Sequence, residues 1–459
     1  MPIIYAARWI LPIIDPPIKD GAIAVEGPMI VAVGTRAELL KKFPDAKVND
    51  FGEAAILPGL VNAHSHLELT VMRGFLEAEE TDFFAWLRKL TIARTAMTPD
   101  DLFVSAMCGA IEAARAGITC LGDSSSSAID SIKALNQIGL RGIVYQESFG
   151  PDAKLAGENV AKLREQLSAN RAAQTDLVRA GVSPHAPYTV SAPQLEMISR
   201  LAIDEGFPLM MHAAESEAER LFLLEGRGTF ADGLKNRNIE WNAPGISTIQ
   251  YLQRHGVMET KPLLAHCINV DDNDLELVKA ANAGIAHCPK SNAKLRHSRA
   301  PFAKFLAHGI NTGIGTDSVA SNNTCDILEE ARFATLMARV SSIDFSPCSQ
   351  PTQSQTEVYA TNALFAATLG GARALGVDDQ VGALKAGMQA DVAIVTLNGA
   401  YQTPSSNPID TLIFSSSGRD VALTMIAGKE VYREGCITTA SEVEFRNRLK
   451  LVRVKIDQG

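Results

Sequence analysis

The sequence lacks the features that mark nucleic-acid-binding, membrane and secreted proteins. No run of lysine and arginine occurs in its 459 residues, and the net charge is −9 at pH 7. Because binding to a nucleic-acid backbone requires a clustered basic surface, no nucleic-acid partner is expected. No apolar run approaches the roughly 20 residues of a membrane-spanning helix. The apolar start of the chain is interrupted by Pro12, Asp15 and Pro16, so no signal peptide is predicted either.

Disulfide bonds are not indicated. The cysteines are odd in number, widely scattered and free of any C-x-x-C pair; they are Cys108, Cys120, Cys267, Cys288, Cys325, Cys348 and Cys436. A disulfide framework usually shows an even number of cysteines in a short chain. We therefore predict reduced thiols and a cytoplasmic protein. The composition, with 46% hydrophobic and 21% charged residues, is that of an ordinary folded chain.

The middle of the chain alternates short apolar runs with helix-length amphipathic segments, such as Pro99 to Ala116 and Ala192 to Glu205. This alternation is typical of repeated strand and helix units on a parallel sheet. Eight runs end in polar residues, at 56–66, 118–123, 142–147, 179–185, 208–212, 262–266, 284–287 and 310–317. Eight such units close a barrel of the TIM type. We therefore predict an α/β fold with a (β/α)8 barrel over residues 58–368.

The two ends of the chain share another pattern. In residues 1–57 and 369–459, stretches such as 21–33, 381–397 and 421–431 alternate apolar and polar residues and are punctuated by glycine and proline. Alternation of this kind is typical of antiparallel strands. We predict that both ends combine into one small β-sandwich domain.

The histidines are concentrated at the ends of the predicted strands. Six of the nine lie there, namely His64, His66, His185, His212, His266 and His287. Catalytic groups of such barrels sit at the carboxyl ends of the strands, so we expect these six and Asp317 to meet at one mouth. His64 and His66 are two positions apart on a strand and point the same way, which suits binding of one ion. The pattern predicts a metal site.

Several motifs resemble the amidohydrolase superfamily, in its branch of mononuclear metal-dependent deaminases and chlorohydrolases of nitrogen heterocycles. They occur in the family's order as PGLVNAHSH at 58–66, SPHAPYTVS at 183–191, HAAE at 212–215, AHC at 265–267, HCPKSN at 287–292 and GTDSVASNN at 315–323. The stretch 381–391 resembles the family's returning β-domain sequence. Within the branch, which includes methylthioadenosine/S-adenosylhomocysteine deaminases, residues 145–150, 212–230 and 241–247 look closer to aminodeoxyfutalosine deaminases.

The resemblance implies one divalent ion, held by His64, His66, His212 and Asp317. Zinc is expected first, with iron and manganese as alternatives, since histidine and aspartate ligands suit all three. Relatives with two ions commonly carry a carboxylated lysine at the end of the fourth strand. Here that place is occupied by residues 183–185, with the sequence Ser-Pro-His, which favours a single ion.

The resemblance also implies roles for residues around the ion. Glu215 would donate a proton to the substrate ring, His266 would bind the water or the substrate, and Asp317 would also move a proton. A solvated glutamate at the start of a helix is the alternative for Glu215. His185 is expected to contact the substrate, and Ser291 and Asn292 are expected to support the pocket wall or to be structural. Trp86 would cap the pocket or belong to a helix core. A carboxylate of the substrate would be bound by Arg94, Arg73 or Lys154.

These residues predict a reaction. Three imidazoles and one carboxylate can hold an ion that lowers the pKa of water to about 7, and an amine leaves a ring only after an acid protonates the ring. We predict an aminohydrolase that converts an adenine nucleoside (aminodeoxyfutalosine, methylthioadenosine, S-adenosylhomocysteine or adenosine) to its hypoxanthine form. The alternatives are hydrolysis of a chloro- or amino-triazine, deamination of a guanine-type base, and a metal-holding scaffold without turnover. A homodimer or higher assembly is expected from the resemblance alone.

Overall fold

The computed structural model describes residues 1–341 and 357–458, so Cys348 lies outside the described residues. The strands are β1 (Ile3–Ile10), β2 (Ile18–Glu26), β3 (Met29–Thr35), β4 (Lys47–Asp50), β5 (Ala54–Pro58), β6 (Leu60–Ser65), β7 (Ile118–Ser125), β8 (Arg141–Ser148), β9 (Val178–Pro184), β10 (Met210–Ala213), β11 (Leu263–His266), β12 (Gly284–His287), β13 (Asn311–Ile314), β14 (Val392–Thr396), β15 (Val421–Ile426), β16 (Lys429–Arg433) and β17 (Cys436–Ile437).

The α-helices are α1 (Arg36–Lys42), α2 (Phe83–Thr95), α3 (Pro99–Arg115), α4 (Ala128–Ile138), α5 (Ala156–Ala172), α6 (Ala192–Glu205), α7 (Glu217–Glu225), α8 (Thr229–Lys235), α9 (Thr248–Arg254), α10 (Asp272–Ala280), α11 (Pro289–Lys294), α12 (Phe302–Ala307), α13 (Val319–Asn322), α14 (Ile327–Ser341), α15 (Ala360–Phe365), α16 (Gly371–Leu375), α17 (Pro408–Phe414) and α18 (Glu442–Gln458). None of the helices in the described part of the chain has the length and apolar character needed to span a membrane.

Eight strands form two parallel four-stranded sheets, β6-β7-β8-β9 and β10-β11-β12-β13. Each overlaps one of the eight runs predicted from the sequence. The strands are buried on both faces, as expected for parallel strands covered by helices. Parallel bridges between Val182 and Leu209, and between Ser65 and Asp317, connect the two sheets at both edges. The predicted α/β architecture with parallel strands is confirmed.

Strands from both ends of the chain form one further sheet. Its order is β17-β16-β15-β14-β5-β1-β2-β3, and β4 also pairs with β1. The expected combination of the two ends in one β structure is therefore present, while its form as a two-layer sandwich stays a prediction. The expected strand character of residues 381–397 is limited to β14. Gly382 and Gly387 precede that strand with φ values of 97° and 93°, which interrupt an extended backbone.

A buried ion pair connects the two parts of the protein. Arg141, the first residue of β8, donates from Nε to Asp391 Oδ2 at 2.8 Å and from Nη2 to Oδ1 at 3.2 Å. The backbone amide of Ala427 also donates to Asp391 Oδ1, at 2.8 Å. The side chains of Arg141 and Asp391 are only 6% and 1% exposed. The carboxylate thus holds a parallel strand to the sheet built from the chain ends.

Replacing Asp391 with asparagine is expected to lower the free energy of unfolding by about 3–5 kcal/mol, because it leaves the Arg141 charge buried without a partner. Asp20→Asn is a matched control, since Asp20 pairs with Arg8 at 3.0 Å but both side chains are exposed. There the expected loss is about 0–1 kcal/mol. Urea denaturation of both variants measures the difference. Equal losses would show that the Asp391 pair does not stabilise the junction.

Candidate active site

The four predicted ligands come together although they lie far apart in the sequence. His64 and His66 lie at the end of β6, His212 lies on β10, and Asp317 follows β13. Asp317 Oδ1 is 3.4 Å from His64 Nε2 and 3.5 Å from His66 Nε2. The Nε2 atoms of His66 and His212 are 3.3 Å apart. His64, His66 and Asp317 offer ligand atoms that all lie within 4.8 Å of one another.

Their protonation states suit a divalent cation. Burial lowers the pKa of His64 to about 4 and that of His212 well below its usual value, so both rings are neutral at pH 7. Burial raises the pKa of Asp317, but the contact with His64 and the neighbouring histidines hold it well below the ordinary range. Metal ligands must be deprotonated in this way.

Two further observations agree with a cation here. Both ring nitrogens of His64 are buried and have no hydrogen-bond partner in the part of the chain that the structure describes. His212 donates from Nδ1 to the carbonyl of His185 at 2.9 Å, which leaves Nε2 to face the ligands. Burial lowers the pKa of His66, yet nearby carboxylates raise it overall, Glu147 most and then Asp317. Negative charge is therefore concentrated where a cation would compensate it. The charge and protonation of His64, His66, His212 and Asp317 therefore fit one divalent cation.

Hydrogen bonds hold the aspartate in place. Asp317 has a φ of 56°, a left-handed conformation that is uncommon outside glycine. The amide of Ser318 donates to Asp317 Oδ1 at 2.7 Å, and Ser291 Oγ and Ser321 Oγ donate to Oδ2 at 2.5 and 3.2 Å. The backbone amide of Asp317 donates to the carbonyl of His64 at 2.9 Å. One carboxylate oxygen is thus fixed by hydroxyls while the other faces the histidines.

Glu215 and His266 lie beside this cluster. Glu215 follows β10 and is 4% exposed, which excludes the alternative of a solvated glutamate. The backbone amides of Ala214 and Glu215 donate to the buried Glu219 carboxylate at 2.8 and 2.9 Å, which fixes the turn. His266 Nε2 is 3.7 Å from Glu215 Oε1, and Asn292 Oδ1 is 2.8 Å from His266 Nδ1. An acid and an imidazole thus share one side of the cluster.

The chain is similar to known proteins over most of its length. The model of the amidohydrolase family matches residues 55–431. The chain belongs to the amidohydrolase family. A second model, of an imidazolonepropionase-like composite domain of bacteria, matches residues 21–46. The expectation from the motifs is confirmed at the level of the family, and so is the expectation of a hydrolytic enzyme.

Individual amidohydrolases resemble this one over nearly their full length. A 5-methylthioadenosine/S-adenosylhomocysteine deaminase of Pelotomaculum thermopropionicum is 32% identical, with 92% of this chain and 91% of that protein covered. The zinc-bound structure of an adenosine deaminase from Xanthomonas campestris has a TM-score of 0.85 at 26% identity, covering 100% and 99% of the chains. A zinc-bound atrazine chlorohydrolase of Arthrobacter aurescens, at 22% identity and a TM-score of 0.83, covers 98% and 100% and shows the fold alone.

A cavity of ≈ 870 Å³ opens over the site of this amidohydrolase. Its base contains the predicted ligands His66, His212 and Asp317 together with Glu215 and His266. Of the residues predicted to contact substrate, His185, Trp86 and Arg94 line the cavity, whereas Ser291, Asn292, Arg73 and Lys154 do not. Ser291 instead donates a hydrogen bond to Asp317, and the side chain of Asn292 contacts His266. Trp86 both lines the cavity and packs against Phe83, at a ring separation of 6.1 Å.

The expectation that six histidines converge is wrong for His287. It is buried against Phe302, with ring centroids 5.0 Å apart, and lines a different cavity. Phe302 belongs to α12, and Phe305 of the same helix lies edge-on to His287 with centroids 6.4 Å apart. His287 therefore ends β12 among side chains of α12 and does not join the ligand cluster.

Three residues near the amidohydrolase site were not predicted to act there. Tyr188 donates to Glu215 Oε2 at 3.4 Å, and His297 Nε2 is 3.5 Å from Glu215 Oε1. Glu147, at the end of β8, has Oε1 3.9 Å from His66 Nδ1. Tyr188 lies inside a family motif and Glu147 lies at the end of a strand, so the sequence offered a reason to place both of them at the site. His297 lies in a loop between two short helices, and nothing in the neighbouring sequence predicts that it contacts the site.

Proposed function

We propose that this amidohydrolase is a deaminase of adenine nucleosides with one divalent ion held by His64, His66, His212 and Asp317. The observation that carries the proposal is the buried pair of Glu215 and His266 beside the four ligands, at the base of the cavity. A bound ion supplies Lewis acidity, which lowers the pKa of water and makes it a nucleophile at neutral pH. Zinc is proposed because the adenosine deaminase of similar structure contains it.

The side chains of the chain supply the proton transfers. Glu215 donates a proton to the ring nitrogen next to the carbon that bears the amine, as water adds to that carbon. Asp317 takes the proton of the attacking water, and His266 donates a hydrogen bond to the oxygen of the tetrahedral intermediate. Asp317 then passes its proton to the amine, the carbon–nitrogen bond breaks and ammonia leaves, while the hydroxyl proton of the intermediate returns to Glu215 as the ring carbonyl forms. Overall, one adenine nucleoside and one water molecule give one hypoxanthine nucleoside and one molecule of ammonia.

The cavity is suited to a nucleoside with a large substituent. Its lining includes the exposed apolar side chains of Phe84, Ile92, Phe149 and Leu155. Arg94 lies over the Phe149 ring, with 5.8 Å from Cζ to the centroid, and its side chain is 21% exposed. An aromatic surface beside a guanidinium fits an apolar group that bears a carboxylate. We therefore propose that the preferred substrate is of the aminodeoxyfutalosine type, with Arg94 on the carboxylate and His185 and Trp86 beside the ring.

Glu68 forms an ion pair with Arg94 that is long for a hydrogen bond. Its Oε1 atom is 3.8 Å from Arg94 Nη1, a loose contact. The Glu68 carboxylate is already satisfied by hydrogen bonds from Ser125, Ser126 and Ser127. Arg94 itself lines the cavity.

The surrounding architecture forms part of the same proposal. The bridges at both edges of the parallel sheets support closure into a (β/α)8 barrel over residues 58–368, flanked by the β domain of residues 1–57 and 369–459. The six cysteines in the described residues are all free, which agrees with a cytoplasmic protein. Assembly into a homodimer or a higher oligomer is proposed from the family resemblance.

The substrate proposal predicts a ranking that can be measured directly. Zinc-loaded protein is incubated with adenosine, methylthioadenosine, S-adenosylhomocysteine, aminodeoxyfutalosine, guanine and atrazine, and ammonia and chloride are assayed. We expect ammonia from the adenine nucleosides, with the highest kcat/KM for aminodeoxyfutalosine, and no chloride from atrazine. Absence of ammonia with every amine would contradict a deaminase, and chloride release alone would identify a chlorohydrolase.

A further inference from the structure

His297 contacts Glu215 from outside the substrate cavity. Its Nε2 atom lies 3.5 Å from Glu215 Oε1, and its side chain is 5% exposed. His297 is not among the residues that line the cavity containing Glu215. Nε2 is buried and has no hydrogen-bond partner among the described residues. The Glu215 carboxylate is therefore the polar group that this nitrogen faces.

The local backbone is strained where it presents His297. The residues on either side, Arg296 and Ser298, have φ values of 59° and 86°, in a region that non-glycine residues rarely adopt. The amide of His297 donates to the carbonyl of Asn292 at 2.9 Å, and the ring packs edge-on against Phe83 with centroids 4.3 Å apart. Strain of this kind persists where surrounding structure enforces it, and it is common at functional sites.

His297 shares the contacts to Glu215 with two other residues. Tyr188 donates to Oε2 at 3.4 Å, whereas His297 Nε2 and His266 Nε2 are 3.5 and 3.7 Å from Oε1, so His297 is the nearer of the two imidazoles on that oxygen. Burial lowers the pKa of His297, so its ring is neutral and has one donor and one acceptor nitrogen. A neutral imidazole can pair with a carboxylate as a donor and with a carboxylic acid as an acceptor. It can therefore hold Glu215 before and after proton transfer.

We propose that His297 is a positioning residue that aims the Glu215 carboxyl group at the ring nitrogen of the substrate. The inference rests on the proposed role of Glu215 in deamination. Because His297 lies outside the cavity, its loss impairs proton donation and leaves substrate binding intact. A purine whose leaving group departs without ring protonation depends less on this positioning.

The test compares two substrates that differ only in the leaving group. His297→Ala is assayed with an adenine nucleoside and with the 6-chloropurine nucleoside of the same sugar, through release of ammonia and chloride. We expect kcat on the amine to fall by about 10–100-fold, the scale of a small misplacement of a catalytic group, with KM nearly unchanged. The loss on the chloride should be much smaller. His297→Gln, which can still bond to the carboxyl group, should recover part of the amine rate.

His287→Asn is the matched control, because His287 is also a buried histidine, at the end of β12, but it packs on Phe302 instead of contacting Glu215. It should leave the ratio of amine to chloride rates unchanged. Equal losses on both substrates in the His297 variants, or wild-type kcat on the amine, would overturn the inference. If the alanine variant does not fold, His297→Leu takes its place, since leucine fills similar space but cannot bond to the carboxyl group, and an unchanged ratio in that variant would overturn the inference. Failure of the proposed function is seen separately, as wild-type protein that releases no ammonia.

Discussion

Replacing Glu215 with glutamine is expected to lower kcat for nucleoside deamination by about 10²–10⁴-fold, the usual contribution of a general acid. Glutamine keeps the size of the side chain but has no acidic proton to give to the ring nitrogen. Glu215 is buried beside His266 and is not one of the predicted ligands, so the metal content should remain at one ion per chain. Steady-state ammonia release and elemental analysis of the same preparation measure both quantities.

Glu217→Gln provides the control for this variant. Glu217 is two residues away, but it is exposed and accepts a hydrogen bond from Arg220 Nε at 2.7 Å. Its replacement should leave kcat and metal content at wild-type values. Normal turnover in Glu215→Gln would contradict the acid role. Loss of the metal together with activity would instead assign Glu215 to metal binding.

Removal of the ion is expected to abolish ammonia release, because without it water is not acidified at neutral pH. Dialysis against a chelator should inactivate the wild-type protein, and added zinc should restore it. His212→Ala should stay inactive after zinc addition, since it lacks one of the three imidazoles. Zinc should raise the Tm of the stripped wild-type protein by mass action and have little effect on this variant.

His308→Asn is the control for the loss of a histidine. His308 lies next to Glu276, with 2.9 Å between Nδ1 and Oε1, and it does not line the cavity. It should bind zinc and turn over substrate as the wild type does. Full activity in protein shown by elemental analysis to contain no metal would contradict the proposed chemistry.

The parts of the fold that depend on local sequence were predictable. The helix predicted at 192–205 is α6 with the same bounds, because Ser191, Pro193 and Gly206 mark its ends in the sequence. Gly206 has the left-handed φ of 69° that helix ends favour. The parallel strands were recognisable because they are buried on both faces and therefore read as continuous apolar runs.

The parts of the site that depend on contacts between distant residues were harder to predict from the sequence. The ligands share a simple rule, since polar residues at the carboxyl ends of parallel strands meet at one edge. That rule was misleading for His287, whose ring packs against Phe302 and Phe305 of α12. It also missed His297, whose approach to Glu215 depends on a strained loop between α11 and α12. Neither contact follows from the spacing of residues along the chain.

The measurement that tests the central claim most directly is a crystal structure with anomalous diffraction recorded at the absorption edge of the bound metal. We expect one anomalous peak, within about 2.0–2.2 Å of a nitrogen of each of His64, His66 and His212 and of an oxygen of Asp317. Two peaks in this place would contradict the single-ion assignment. A metal bound elsewhere, with these four side chains uncoordinated, would contradict the account as a whole.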